Sequence, residues 1–449
     1  MDTSASSARH PDATSREVLR LAVPAFLTLV AEPAFLLADT AIVGHLGTVQ
    51  LAGLGVASAA LATCAGIFVF LAYGTTASVS RQAGAGDLLG ALRLGVDGVW
   101  LGLLLGVVAG AVLSLAAGQV TALFGASLPA TEQATEYLQI SGIGVPAMLV
   151  ILAATGVLRG LQDTRTPLVV AIAGFSLNIV LNVWLVYGLD LGIRGSALGT
   201  VLAQTSMALA LIAVILRALH RQHGKALPTV VRPHPGRVLA AARAGVPLLI
   251  RTLALRAVLL LTTWVAASSG DVTLAAYQVS ATVWTFLVFA LDALAIAAQA
   301  LTGNALGAAD VPRARTLTAL MVRWGVWCGV ALGAVVVALH GVLPGLFTSD
   351  AAVQRALASA LLVLALQQPL SGFVFVLDGV LIGAGDGRWL AVASLVQLVL
   401  YLPVVLLMQQ ANVAASGLWW GFGTFMLVRG VLLGWRARTD RWAVIGAAR

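Results

Sequence analysis

The segment VSRQAGAGD at residues 79–87 returns, in altered form, as LTGNALGAAD at residues 301–310. Both segments end on an aspartate, and Asp87 and Asp310 are 223 positions apart. The same offset relates Pro24 to Pro247, Gly47 to Gly270, Phe124 to Phe347, Pro146 to Pro369, and the turn Asp163-Thr164-Arg165 to Asp386-Gly387-Arg388. A constant offset with almost no gaps predicts two copies of one unit of roughly 200 residues.

The composition predicts an integral membrane protein. Hydrophobic residues make up 60% of the sequence and charged residues 10%, whereas a soluble domain carries about 25% charged residues. Apolar runs of about twenty residues recur, long enough to cross a hydrocarbon core. Helices satisfy every backbone polar group internally, and the alternating pattern of a membrane β-barrel is missing. The fold class is therefore predicted to be all-α integral membrane.

Twelve transmembrane helices are predicted, six in each repeat. Their approximate bounds are 18–43, 51–78, 91–118, 134–157, 167–188, 195–219, 245–267, 273–302, 316–343, 353–384, 388–409 and 415–436. An even number of helices per repeat gives two parallel repeats, and a duplicated apolar unit favours a two-lobed transporter with its pathway between the lobes.

Arginine and lysine predict the orientation, because cytoplasmic loops carry an excess of positive charge. With the amino terminus in the cytoplasm, all but five of the 26 basic residues lie on the cytoplasmic side. Those five are Arg194 and Arg355 in outer loops and Arg251, Arg256 and Arg429 in or near helices. We predict a multi-pass protein of the cell (cytoplasmic) membrane with both termini inside. Its partner is the lipid bilayer, and a net charge of +8 requires no nucleic acid.

The predicted domain organisation follows from the spans. It consists of a cytoplasmic tail (1–16), an N-terminal six-helix lobe (17–219), a cytoplasmic interlobe linker (220–244), a C-terminal six-helix lobe (245–437) and a second cytoplasmic tail (438–449).

The sequence predicts that an ion gradient supplies the energy. The single lysine, Lys225, lies in HGKAL, which lacks the glycine spacing and the Ser or Thr of a phosphate-binding loop. One charge moving through about 100 mV yields roughly 2.3 kcal/mol, which is adequate for uphill transport. The histidines show no metal-ligand spacing, so neither a metal nor a cofactor is expected.

Acidic residues in the first predicted helix are functional candidates, Asp39 for the coupling site and Glu32 for the substrate cavity, because charges inside a membrane are costly and mark function. Glu32 and Asp39 are seven residues apart and share a helix face. Asn178 and Asn182 are one turn apart on the fifth helix, and neutral amides can hydrogen-bond a carboxylate in either protonation state. Position 39 corresponds to Thr262 in the second repeat, so Asp39 is specific to the first lobe. The alternative is hydrogen bonding that only holds helices together.

A second polar patch is predicted in the second repeat. Asp292 and Gln299 are seven residues apart on the eighth helix, and Asp378 lies in the tenth. These residues are substrate-cavity candidates. The alternative is that the two acids are structural partners for polar groups, such as Arg251 and Arg256.

Prolines are predicted to bend four positions in the helices, because proline removes a backbone hydrogen bond. They are Pro24, Pro33, Pro146 and Pro369. A bendable first helix that carries a titratable acid is a plausible switch.

Several motifs together resemble the multidrug and toxic compound extrusion (MATE) family, and in particular its bacterial branch named for DNA-damage-inducible protein F. They are LLADTAIVGHLG (36–47), VSRQAGAGD (79–87), VLRGLQDTRTPL (157–168), ALDALAIAAQALTGNALGAAD (290–310) and VLDGVLIGAGD (376–386). The resemblance covers about residues 16–437.

The resemblance implies a V-shaped antiporter that exchanges protons or sodium for organic cations. It assigns the proton or cation site to Asp39, Asn178, Asn182 and Thr200, the helix-one bend to Pro24, and a cavity-lining role to Tyr137. Relatives often have aspartate where this chain has Asn182. One carboxylate fewer favours the proton over sodium as the coupling ion.

The predicted function is export of amphipathic, cationic organic compounds by a monomeric, proton-coupled antiporter, which is not an enzyme. Three alternatives remain. The same fold could export or flip a lipid or an endogenous metabolite. A major-facilitator transporter also has twelve helices, but its Gly-rich Asp-Arg motif is missing between helices two and three. A membrane enzyme acting on lipid-linked substrates would need catalytic groups clustered in a loop, and the repeated loop acids instead suggest packing roles.

Overall fold

A computed structural model describes residues 11–223 and 231–447. Parts of the predicted tails and linker (residues 1–10, 224–230 and 448–449) lie outside the described residues. Within the described ranges the chain is helical and contains no strand.

Eleven helices of the described chain are long and apolar enough to cross a membrane, and a bent helix pair forms a twelfth span. In chain order the spans are Pro11–Gly44, Thr48–Phe68 with Phe70–Gly84, Leu88–Leu115, Leu128–Gly142 with Val145–Gly160, Arg165–Val183, Gly192–His223, Pro235–Ser268, Asp271–Gly307, Val311–Leu339, Ala351–Gly383, Gly387–Gln410 and Ala415–Arg438. Short helices also occur at Ala117–Ala122 and Leu343–Phe347, a π-helical turn at Trp184–Gly188 and a 3-10 turn at Asp440–Trp442. The predicted all-α fold with two six-span repeats is confirmed.

The clearest differences from the predicted spans are in the fourth and the seventh. The fourth span is broken, and its two helices meet at 55°. The seventh begins at Pro235, ten residues before the predicted position, because proline suits the first turn of a helix. The predicted linker 220–244 is therefore helical near both ends, since the sixth span continues to His223. The domain boundaries themselves stay predictions.

Aspartates begin the third and ninth spans. Asp87 accepts a hydrogen bond from the backbone N–H of Gly90 at 2.7 Å, and Asp310 accepts one from Arg313 at 2.9 Å. Each carboxylate thus satisfies a donor that the helix start leaves free. The bond from Gly90 also holds the pKa of Asp87 below its ordinary value. These duplicated acids serve the helix ends, as the repeat pattern suggested.

The third span packs closely against the fourth, and the ninth against the tenth, because a glycine lies at each contact. A Cβ on Gly106 would lie 2.5 Å from Pro146 Cα, and one on Gly329 would lie 2.8 Å from Pro369 Cα. The two glycines are themselves 223 positions apart. Close backbone packing of this kind drives helix association in membranes. It places Pro146 just after the break in the fourth span and Pro369 inside the tenth.

Residues 79–87 and 301–310 form a contact between the two lobes at the predicted cytoplasmic end. A Cβ on Gly84 would lie 2.0 Å from the carbonyl oxygen of Asn304, and one on Gly307 would lie 2.0 Å from that of Arg81. Gly84 and Gly307 are repeat equivalents, and so are Arg81 and Asn304. The ends of the second and eighth spans therefore cross as a pseudo-symmetric pair, which we call the seam.

Candidate functional site

Asp39 lies near the C-terminal end of the first span and is 3% exposed. Its Oδ1 accepts hydrogen bonds from Asn182 Nδ2 at 2.7 Å and from Ser196 Oγ at 2.8 Å. These donors come from the fifth and sixth spans, so three helices of the first lobe meet at this carboxylate. Both partners are neutral, and the ion pairs found among the described residues do not include Asp39.

The hydrogen bonds continue away from Asp39 as a chain. Asn182 Nδ2 also donates to Asn178 Oδ1 at 2.9 Å, and Asn178 Nδ2 donates to Thr200 Oγ1 at 3.2 Å. Tyr137 is buried, and its hydroxyl lies beside Thr200 and Ser196. The structure thus brings the four predicted coupling residues and Tyr137 into one cluster, which we call the Asp39 site.

Ser196 belongs to this site although sequence reasoning missed it. It precedes Thr200 by four residues, so the two hydroxyls share one face of the sixth span. That spacing was the available signal. Ser196 is fully buried, and its hydroxyl donates to the carboxylate directly.

The amide oxygen of Asn182 is the unsatisfied atom of the site. Asn182 Oδ1 is buried and has no hydrogen-bond donor in the described structure. Gly199 makes room for it, since a Cβ there would lie 2.0 Å from this oxygen. A buried polar atom without a partner is costly, so the site is left with an acceptor ready for one more donor.

Local backbone geometry ties the fifth span to the first around the site. The π-helical turn Trp184–Gly188 follows Asn182 directly, and turns of this kind are frequent at functional sites. From this turn the Tyr187 hydroxyl donates to the carbonyl of Ile42. One helical turn before Asp39 in the chain, the rings of Phe35 and Phe175 stack with centroids 4.9 Å apart.

The second lobe has no carboxylate at the equivalent place. Thr262 and Tyr401, the repeat equivalents of Asp39 and Asn178, share a hydrogen bond of 2.8 Å between their hydroxyls. The rings of Tyr401 and Phe425 pack edge to face beside it, at 5.7 Å between centroids. The two lobes therefore share a backbone plan, but the titratable cluster occurs in the first.

Asp378 is buried between two arginines of the second lobe. Arg251 pairs with both of its carboxylate oxygens, and Arg429 Nη2 lies 3.2 Å from Oδ2. The predicted partner Arg251 is thus present. The other predicted partner, Arg256, instead lies against Gly66. Sequence reasoning missed Arg429, because a pair 51 positions apart gives no local pattern.

Asp292, Gln299 and Asp378 line one small cavity together with Tyr73 of the first lobe. Its volume is about 10 Å³, which is room for about one water molecule. Gln299 Nε2 donates to the carbonyl of Tyr73 at 2.6 Å and so links the eighth span to the second. In this conformation the lobes are packed tightly around the second polar patch.

The remaining candidates lie on the first span. Glu32 is exposed on the helix surface and is separate from the Asp39 hydrogen bonds. Pro24 and Pro33 both lie inside this helix, and Pro24 is buried. Among the described residues no three His, Cys, Asp or Glu side chains are grouped as a metal ion requires.

A family model matches this chain over both repeats. The MatE model matches residues 24–184 and residues 247–407. The two matched stretches begin and end 223 positions apart, which is the offset of the repeat.

Curated relatives and solved structures cover nearly the whole chain. DNA damage-inducible protein F of Escherichia coli is 30% identical over 96% of this chain and 94% of its own length. Protein DETOXIFICATION 44, chloroplastic, of Arabidopsis thaliana is 31% identical over 96% of this chain and 84% of its own length. A solved MOP superfamily transporter from Pyrococcus furiosus superposes with a TM-score of 0.84 at 22% identity, over 95% of both chains. A crystal structure of MATE in the bent conformation gives the same values. The chain therefore belongs to the MATE family of membrane transporters and is related to DNA damage-inducible protein F.

Proposed function

We propose that the chain is a secondary antiporter that exports amphipathic, cationic organic compounds in exchange for protons. It would work as a monomer in the cell membrane, with both termini in the cytoplasm. One observation carries the proposal: Asp39 is 3% exposed, and its hydrogen-bond donors, Asn182 and Ser196, are neutral. A buried acid without a positive partner can be neutralised by a proton or by a cationic substrate.

The surrounding side chains support both states of Asp39. When it is ionised, Asn182 Nδ2 and Ser196 Oγ donate to it. When it is protonated, the acid gains a donor, and Asn182 Oδ1 is a buried acceptor that lacks one. Protonation therefore removes a buried charge, and Asn182 Oδ1 can accept the new donor once the amide turns from its present bond to Asp39. Either change favours a different packing of the first, fifth and sixth spans.

Asp378 is a poor candidate for the proton carrier. Its carboxylate is paired with Arg251 and Arg429, all three side chains being buried. Protonating it would leave two buried guanidinium groups without their counter-ion, which is strongly unfavourable. Protonating Asp39 leaves no such unpaired cation, because its hydrogen-bond donors are neutral.

The composition of the Asp39 site supports the proton rather than sodium. Sodium prefers several oxygen ligands including carboxylates, as hard cations do. Here the carboxylate of Asp39 is joined by Asn178, Asn182 and Thr200. The amide nitrogen of Asn182 points at the carboxylate, so a donor rather than an oxygen ligand faces Asp39.

The test is transport by purified protein in proteoliposomes under separately imposed pH and sodium gradients. We expect a pH gradient to drive movement of a fluorescent organic cation, and Asp39→Asn to abolish the gradient-driven component. Asp190→Asn is the matched control, because Asp190 is exposed in the loop after the π-helical turn. Unchanged pH-driven transport by Asp39→Asn, or transport driven by the sodium gradient alone, would refute the proposal.

A further inference from the structure

Arg81 reaches across the seam into the other lobe. It lies near the end of the second span and is 2% exposed. Its Nη1 donates to the carbonyl of Ala384 at 2.9 Å, at the end of the tenth span. Its Nη2 donates to the carbonyls of Val444 and Gly446, both at 2.8 Å. One guanidinium of the first lobe therefore holds a helix end and the C-terminal segment of the second.

The segment 439–447 is bound to the seam on its other side as well. The backbone N–H of Gly446 donates to the carbonyl of Leu306 in the last turn of the eighth span, at 3.1 Å. Trp442 anchors the segment, since it is 3% exposed and its indole N–H donates to Ala437 at 3.0 Å. The segment thus lies between Arg81 and the eighth span and closes one edge of the seam.

This contact breaks the symmetry of the seam. Gly84 and Gly307 approach the opposite backbones equally closely. Their neighbours Arg81 and Asn304 are repeat equivalents, and it is Arg81 that makes the three bonds to the other lobe. Hydrogen bonds that involve a charged group are about twice as strong as neutral ones. The three hydrogen bonds of Arg81 therefore form a strong and specific contact on one side of the seam.

We propose that the segment 439–447 acts as a latch. Through its hydrogen bonds with Arg81, it holds the predicted cytoplasmic ends of the two lobes together. Opening the transporter on that side separates the second span from the eighth and tenth, so the bonds of Arg81 must break first. Release of the latch shifts the protein towards the form that is open at the seam. The latch acts on the conformational equilibrium and involves neither the coupling ion nor the substrate.

The experiment measures how often the seam opens. Ser80 is fully buried and faces Gly303 across the seam, so Ser80→Cys reports opening through its rate of reaction with a maleimide. The native cysteines Cys64 and Cys328 are replaced by serine beforehand. Purified protein in detergent micelles is used, which makes the readout independent of transport and of orientation.

We expect a chain that ends at Arg438 to react roughly tenfold faster than the parent, in line with the loss of charge-assisted hydrogen bonds. A chain that ends at Ala447 is the matched control and should react at the parent rate, because it keeps both carbonyls that Arg81 holds. Arg81→Gln should also accelerate the reaction. The factor by which it raises the rate should be smaller in the shortened chain than in the full chain.

A point substitution covers the case in which the shortened chain does not fold. Gly446 has φ of +106°, a conformation that β-branched residues avoid, so Gly446→Val should loosen the latch and also accelerate the reaction. Parent-like rates in both the shortened chain and Gly446→Val would overturn the proposal. An equal factor from Arg81→Gln in the full and shortened chains would overturn it too, because Arg81 would then act without the segment.

Discussion

Two buried aspartates lie in the membrane in opposite electrostatic surroundings. Asp39 is held by an amide and a hydroxyl, whereas Asp378 is held by Arg251 and Arg429. Protonating the first acid removes a buried charge, whereas protonating the second leaves two buried guanidinium groups without a counter-ion. Residue type alone therefore does not identify the coupling acid, since the neighbouring side chains decide it.

The first prediction concerns Gly199, which lacks a side chain where the amide of Asn182 lies. Gly199→Ala would place a Cβ 2.0 Å from Asn182 Oδ1, so the amide must move and its bond to Asp39 is lost. We expect pH-driven cation transport to fall roughly tenfold or more, measured in proteoliposomes at equal protein content. Gly55→Ala is the control, because a Cβ added there would meet nothing within 4 Å beyond the local backbone of its own helix. Equal transport by the two variants would contradict the role given to Asn182.

The second prediction is that replacing Asp378 destabilises the protein more than replacing Asp39 does. Asp378→Asn leaves Arg251 and Arg429 buried with no carboxylate between them. Breaking a buried ion pair costs about 3–5 kcal/mol, so the thermal unfolding midpoint in detergent should drop clearly. Asp39→Asn should change it little, because its partners are neutral. A larger drop for Asp39→Asn than for Asp378→Asn would reverse the assignment of the two roles.

At the scale of helices, the same packing device supports both lobes. Gly106 of the third span meets the backbone at Pro146, and Gly329 of the ninth meets the backbone at Gln368 and Pro369. In each lobe a proline-containing helix thus packs closely against a glycine of the preceding span, because glycine has no side chain to separate the two backbones. This shared contact gives Pro146 and Pro369 a packing role next to the bending role predicted from the sequence.

The third prediction concerns these contacts. A Cβ at Gly106 or Gly329 would lie 2.5 Å or 2.2 Å from backbone atoms, and backbone cannot move aside as a side-chain end can. Gly106→Ala and Gly329→Ala should each destabilise the protein by about 1–3 kcal/mol, seen as a lower unfolding midpoint. Alanine normally stabilises a helix by about 1 kcal/mol relative to glycine. Gly55→Ala should therefore leave the midpoint unchanged or raise it, and a similar rise at Gly106 would refute the packing argument.

In the molecule as a whole, features shared by the repeats form the fold, and the residues to which we assign function are unshared. The seam glycines and the capping aspartates Asp87 and Asp310 occur twice. Asp39 and Arg81 have the uncharged equivalents Thr262 and Asn304. The two lobes thus provide a symmetric frame, in which the proposed coupling site and the proposed latch are each found on one side.

The sequence predicted the repeats and the spans, because these depend on hydropathy and on a constant offset. Spacing within helices indicated Asp39, Asn178 and Asn182, and the family resemblance added Thr200 and Tyr137. The sequence did not predict the break in the fourth span or the early start of the seventh at Pro235. Ser196 and Arg429 were missed, and so was the clasp of Arg81 on Val444 and Gly446. Each of these depends on contacts between distant segments, which leave no periodic pattern in the chain.

If Asp39 exchanges a proton for a cationic substrate, the binding of that substrate must itself release a proton. Purified protein in weakly buffered detergent solution is mixed with a saturating amphipathic cation while the pH is recorded. We predict that the parent protein releases protons as it binds, and that Asp39→Asn still binds the cation but releases none. Release of the same number of protons by both proteins would contradict the account.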